Sequence, residues 1–174
     1  MQHHGLPTRL LDWTDTFAVA LFFAIRDIPF ALGGIKEPEV DCSPVVWILD
    51  ASELNKQSTF GGAIPEPNSE VSDGYYDYFI SEEKSFSDSA LAILPPRRGA
   101  RLASQNGFFT FHSDLSKPLE QFSPKSVMKF ELPRSAIPDA GRFLQLAGVN
   151  EYSAFPDLDG LARHLRSLHV DIPC

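Results

Sequence analysis

An unbroken apolar run, FAVALFFAI from Phe17 to Ile25, constrains this chain more than any other feature. It falls far short of the roughly 20 residues a membrane-spanning helix needs. It is also apolar on every side, unlike a surface helix, which keeps one polar face. The run therefore predicts a helix from about Thr16 to Arg26 that is buried on most faces and anchors the core. Each large side chain buried there contributes about 1.5–3 kcal/mol. Asp15 is placed to cap its start, since a carboxylate at that position accepts from the free N–H groups of the first turn. Pro29 ends it, because proline cannot continue a helix. The 14 Phe residues supply further bulk for a core, and 174 residues fit a single domain over 1–174.

Around this helix the punctuation is readable. Gly5, Leu6 and Pro7 form a break after what reads as the last turn of a helix over residues 1–4. Thr8 to Leu11 predicts a short strand. VVWIL, Val45 to Leu49, lacks alternation, so it predicts a central strand buried on both faces. Asp50, Ala51 and Ser52 cap a short helix. Residues 57–88 read as a surface excursion with an aromatic knot at Tyr75, Tyr76, Tyr78 and Phe79. Further strands are expected at Ala90–Leu94, Phe108–His112 and Val127–Leu132. Arg98–Gln105 reads as a helix with Gly107 as its C-cap glycine. Two more helices are expected near 139–148 and 157–169, the second with an apolar stripe of Leu158, Leu161, Ala162, Leu165 and Leu168. Strands and helices mix without strict βαβ alternation. That order predicts an α+β fold, a mixed, mostly antiparallel small sheet with one buried apolar helix and C-terminal helices.

A net charge of −8 argues against an extended nucleic-acid surface. Arg97, Arg98 and Arg101 are a local exception that suits one phosphate or carboxylate. Cys42 and Cys174 give no disulfide framework, and Cys174 reads as a free thiol. No signal sequence opens the chain, so cytoplasmic residence without membrane attachment is expected. Met1 leads directly into dense, specific-looking residues, which predicts a longer natural chain upstream.

Polar functional groups are densest at the start: Gln2, His3, His4, Thr8, Arg9, Asp12, Trp13 and Thr14. Arg9 and Asp12 admit two readings. They form a structural pair tying a strand end to a helix start, with Trp13 as a packing wedge, or they serve ligand recognition. A buried ion pair adds little stability, because desolvation offsets its attraction. His3 and His4 are adjacent, so on a helix they point about 100° apart and cannot share a metal. His112, His164 and His169 are remote from them, and no metal is expected. His3 is the candidate general acid or base, against the plainer reading of a satisfied histidine. RLASQNGFF offers Gln105, with Arg101 one turn earlier, against the reading of a plain helix cap. No activated nucleophile is legible.

QHHGLPTRLLDWTDTFAVALFFA resembles the central signature of FRG domains, roughly Gln-His-aromatic-Gly-Leu-Pro-Thr-Arg-Leu-Leu-Asp-Trp-Thr followed by Ala-Leu-aromatic-Phe-Ala. RLASQNGFFTF is similar to the family's Arg-x-x-x-Gln-x-Gly-x-Phe stretch, and FPDLDGLARHL to its closing helix. Two departures stand out. The upstream Phe-Arg-Gly motif is absent, and His4 stands where Tyr or Phe is usual. The resemblance implies a further likeness in element order to ADP-ribosyltransferases of the arginine-first type. In those enzymes an early arginine holds the phosphates of NAD, and a late acidic residue stabilises the developing sugar cation. Gln105 lies near the late position and, being neutral, can only position a group.

The resemblance thus implies a nucleotide-binding or NAD-processing domain in a bacterial toxin or phage-defence context, with NAD as cofactor. Gln105 and His3 are its candidate catalytic residues. Gln2, Thr8, Arg9, Asp12, Trp13 and Arg101 are its candidate ligand contacts. Two other readings remain open at this level: a recognition module for a small-molecule or protein ligand, and an inactive truncated fragment.

Overall fold

The structure, a computed structural model, describes residues 8–28, 30–31, 34–35, 43–56, 58, 60–66, 90–95 and 103–168. In chain order its elements are β1 (Leu10–Thr14), α1 (Phe17–Ile25), β2 (Phe30–Ala31), β3 (Gly34–Ile35), β4 (Val45–Leu49), α2 (Ala51–Asn55), β5 (Ala90–Ile93), β6 (Gly107–His112), α3 (Leu119–Phe122), β7 (Val127–Glu131), α4 (Ile137–Leu146), α5 (Glu151–Ala154) and α6 (Leu158–Leu168). A 3₁₀ turn, Arg134–Ala136, precedes α4. The fold is α+β. Among the described residues the strands form three small sheets, ordered β1-β6-β5, β2-β3 and β4-β7. The chain divides into two compact units, the first drawn from Met1–Trp13, Trp47–Arg97 and Gly107–Lys129, the second from Thr14–Val46, Arg98–Asn106 and Phe130–Cys174.

The first unit is built on the three-stranded sheet. Strands β5 and β6 run antiparallel, with Ala90 opposite His112 and Ile93 opposite Phe109. Every residue of β5 is buried, as its continuous apolar sequence requires. Leu54, Ala90, Ala92 and Leu119 form the core, with Trp13, Leu49, Ala51 and Val127 packed around them. Helix α2 starts at Asp50, whose carboxylate accepts from the Glu53 N–H at 2.9 Å. At its other end Asn55 is fully buried. The Asn55 amide donates to the Ala63 and Ala92 carbonyls at 2.8 and 2.9 Å, and its oxygen accepts from the Ala92 N–H at 2.8 Å. One side chain thus closes the edge of β5 that β6 leaves open.

The second unit is helical at heart. Val19, Leu21, Phe22 and Ile25 of α1 are buried, and the last three pack with Ala140 and Leu144 of α4, Ala154 of α5, and Phe155. Arg26 closes α1 within an aromatic cluster, its guanidinium carbon 4.9 Å from the Phe155 ring centroid and 5.7 Å from those of Phe22 and Phe23. Asn150 caps α5, accepting from the N–H groups of Tyr152 and Ser153 at 2.9 and 3.0 Å, and the Ser153 hydroxyl returns the bond in a capping box.

Several expectations need correction. The first strand is Leu10–Thr14, two residues later than expected. The Thr8 hydroxyl bonds the Leu10 N–H and turns the chain before the strand begins. Asp15 is not the cap of α1. Thr16 holds that position without a side-chain cap, its hydroxyl already taken by Asn106 and Asp15. Helix α1 is buried or half-buried along most of its length, as expected; Phe17 at its start is 60% exposed and meets the Phe143 ring at 6.3 Å.

Strand β4 is not a central, doubly covered strand. Among the described residues it pairs with β7 alone, antiparallel, as bonds from Leu132 N–H to Pro44 and from Asp50 N–H to Ser126 at opposite ends require. Ile48 is accordingly 53% exposed. The left-handed residue after the helix near 104 is Asn106, at φ 46°, and Gly107 opens β6. Leu158 in the expected α6 stripe is 83% exposed, because α6 docks through Gly160 instead. The expected helix at 1–4, the break at 5–7, the aromatic knot and both cysteines lie outside the described residues.

Candidate functional site

In the first unit, the residues around the start of β1 lie alongside β6. The backbone ties them together: the His112 N–H donates to the Arg9 carbonyl at 2.9 Å. Arg9 is exposed, and its guanidinium Nη1 donates to the Ser113 carbonyl at 2.7 Å. The structural Arg9–Asp12 pair, one of the two readings of these residues, is not formed. In extended chain, residues three apart face opposite sides and stand about 10 Å apart, so the guanidinium turns to the neighbouring strand end. Thr8 has its hydroxyl on the Leu10 backbone, donating to that carbonyl at 3.4 Å, a local turn at the strand's start.

The alternation of β1 places Leu11 and Trp13 on one face and Asp12 on the other. Asp12 is exposed, whereas Trp13 is half-buried against the core of its unit. The Trp13 indole Nε1–H donates to the Thr110 hydroxyl at 3.0 Å. That hydroxyl lies 2.9 Å from His112 Nε2. Thr110 and His112 are both buried, and the His112 ring meets Phe122 edge-on at 6.5 Å.

Neither Thr110 nor His112 stood out in the sequence as a partner of the opening segment. One signal was there to read: in FFTFH two polar side chains, two positions apart, share the buried face of a strand, and buried polar groups need partners.

Burial pushes the His112 imidazole below its ordinary value of 6.5. The folded state therefore binds fewer protons than the unfolded chain between that lowered value and 6.5. Stability rises with pH across this window and is lost as pH falls through it. Urea unfolding from about pH 8 to pH 5 should show the decline, and His112→Gln should flatten it.

In the second unit, Gln105 and Asn106 form a turn fastened on all sides. The Gln105 amide donates to the Ala154 carbonyl at 2.9 Å, joining the end of α5. The Gln105 carbonyl accepts from the Thr14 hydroxyl at 2.7 Å, and the Asn106 amide donates to the Thr16 hydroxyl at 3.0 Å. Gln105 is half-buried, so its amide is engaged in holding the turn. Gln2, His3 and Arg101 lie outside the described residues.

The LLDWT strand and the apolar helix that follows it lie within a known family segment. Residues 1–29 match the family model of the FRG domain. The FRG match contains all of β1 and α1, and with them Thr8, Arg9, Asp12 and Trp13. No curated protein and no solved structure matches the chain. Among the described residues, no three His, Cys, Asp or Glu side chains converge to hold a metal ion. Among them also, no helix is long and apolar enough to cross a membrane.

Proposed function

We propose that this chain is a nucleotide-binding domain of the FRG type, taking a diphosphate-bearing nucleotide of the NAD class beside β1 of the first unit. One observation carries the reading: the Arg9 guanidinium is exposed yet anchored, with one N–H on the Ser113 carbonyl at 2.7 Å. A guanidinium held at one corner is preorganised, and its remaining donors suit the paired oxygens of a phosphate. Trp13, about 13 Å further along extended chain at ~3.3 Å per residue, offers an indole wall for a base or nicotinamide ring.

The described residues fit binding better than bond cleavage. NAD, when bound, would supply a ribosyl bond with nicotinamide as its leaving group. Gln105 is neutral, and its amide is engaged with Ala154, so it does not fit the late acid of an ADP-ribosyltransferase. NAD processing, in a bacterial toxin or defence setting, is the finer proposal. It would need an acid or base such as His3. That same engagement of Gln105 favours a second reading, a recognition module that binds without chemistry.

Calorimetric titration with NAD and with ADP-ribose tests the binding. Arg9→Ala should weaken the wild-type affinity about 10-fold or more, since a charge-assisted bond contributes roughly 1.5–3 kcal/mol, and Arg9→Lys should recover only part of it. Unchanged affinity in Arg9→Ala, with the fold intact by circular dichroism, rejects the role given to Arg9. Incubation of wild type with NAD separates the two readings, because release of nicotinamide supports processing and binding without release supports recognition.

A further inference from the structure

Resting on the nucleotide-binding reading, we infer that Thr110 and His112 are the positioning residues of Trp13, joined to its indole by a directed chain of hydrogen bonds that sets the stacking wall. The direction follows from counting protons. Thr110 is fully buried, and its oxygen receives the Trp13 indole N–H at 3.0 Å. A hydroxyl has one proton to donate, and the acceptor beside it is His112 Nε2 at 2.9 Å. The same oxygen can accept a second bond, but a hydrogen on Nε2 would leave the Thr110 O–H without an acceptor among the described residues. The assigned order therefore runs from the indole N–H to the Thr110 oxygen and from the Thr110 O–H to an unprotonated Nε2, with the imidazole hydrogen on Nδ1.

Protonating His112 reverses the last link. Nε2 then becomes a donor, and two N–H groups point at one buried hydroxyl whose own proton has lost its acceptor. An arrangement of that kind is costly where water cannot reach. Trp13 is half-buried whereas His112 is buried, so the indole is the ring with room to turn, and the wall moves when the histidine takes up a proton.

Among the described residues, the charged groups on the segments flanking His112 are Arg9 and Asp12 at β1, Asp114 and Lys117 after β6, and Glu120 on α3. Arg9 contacts His112 through the backbone and sends its guanidinium to Ser113. Asp114 and Lys117 follow β6, with the Lys117 ammonium 6.0 Å from the Phe122 ring centroid. Glu120 lies on α3 and is exposed. The Asp114 carboxylate is held by the N–H and hydroxyl of Ser116. Burial is the cause that lowers His112, so its low-dielectric surroundings disfavour the imidazolium.

The test is nitrogen-resolved NMR on the whole, ligand-free chain. The chain has two tryptophans, so Trp47 serves as an internal control. The expected result is an Nδ1–H tautomer for His112, with the Trp13 indole N–H signal shifting along the same titration curve as the imidazole while that of Trp47 does not. Thr110→Val should uncouple the two titrations, and Thr110→Ser should restore them. If Thr110→Val fails to fold, His112→Gln, which should leave the Trp13 signal flat with pH, replaces it. An Nε2–H tautomer, or a Trp13 signal indifferent to His112, overturns the inference.

Nucleotide titrations form the second arm. Affinity for ADP-ribose should fall roughly 2- to 10-fold in Thr110→Val, the range of one neutral hydrogen bond, and should weaken in wild type as pH drops through the His112 midpoint. Coupled titration with unchanged affinity overturns the positioning role. Coupled titration with no nucleotide binding by wild type at any pH instead rejects the functional reading and leaves the hydrogen-bond chain standing.

Discussion

Gly160→Ala is expected to destabilise the second unit by about 3 kcal/mol or more, beyond the usual cost of overpacking. A Cβ built on Gly160 would stand 1.9 Å from the Phe155 carbonyl oxygen and 2.9 Å from both its carbonyl carbon and its Cβ. These are mainly backbone atoms of the preceding turn, and they cannot swing aside as the end of a flexible side chain could. The turn is itself fixed: the Asp157 N–H donates to the Phe155 carbonyl at 2.8 Å, and the Gly160 N–H donates to the Asp157 carboxylate at 2.7 Å. Phe155 also belongs to the core with Phe22 and Ile25. The Arg163 guanidinium lies 5.1 Å from its ring centroid and bonds Glu151 at 2.9 Å, and Glu151 also pairs with Arg26 at 3.4 Å. Moving α6 outward to admit a methyl group would disturb all of these contacts. Chemical denaturation measures the effect, and a midpoint equal to wild type would show that the close approach at Gly160 is not rigid.

Asn55→Ala should be nearly as damaging in the first unit, at about 3–5 kcal/mol. The substitution removes the partner of three backbone groups at once: the Ala63 carbonyl, the Ala92 carbonyl and the Ala92 N–H. Each buried group left unsatisfied costs about 1–3 kcal/mol, and partial relaxation keeps the total below their sum. Asn55→Asp tests the chemistry more sharply, because it is nearly isosteric but exchanges two donors for an oxygen facing two carbonyls. Both variants should lose stability, and the Ala92 amide should exchange with solvent faster than in wild type. Protection of Ala92 unchanged in Asn55→Ala would mean that another group closes this edge of the sheet.

The two substitutions also mark where the sequence stops being readable. Helix α2 with its Asp50 cap, strands β5, β6 and β7, and helices α4 and α6 follow from periodicity and end signals within a few residues, and all are present. The devices joining them act over distance. Asn55 reaches Ala92 across 37 positions, Gln105 reaches Ala154 across 49, and Trp13 reaches Thr110 across 97. No local pattern marks an asparagine at a helix end as the clamp of a distant strand. Gly160 was equally unmarked, since a glycine inside an amphipathic helix reads as a weak point until the backbone it presses on is known.

The β4 misreading has a similar origin. An apolar run without alternation is compatible with a fully covered strand, but coverage depends on which other segments arrive, and among the described residues β7 alone pairs with it. In the opening segment, the residue types pointed to Arg9 and Trp13. Their partners, Ser113 and Thr110, came only with the fold.

The most direct test of the nucleotide-binding reading follows the two tryptophan indole N–H signals and the Arg9 side-chain signal by NMR as NAD is added. Saturable shifts of the Trp13 indole and Arg9 guanidinium signals are expected, with that of the Trp47 indole unmoved. Saturable shifts that leave Trp13 and Arg9 in place, or no shifts at millimolar NAD, would contradict that reading.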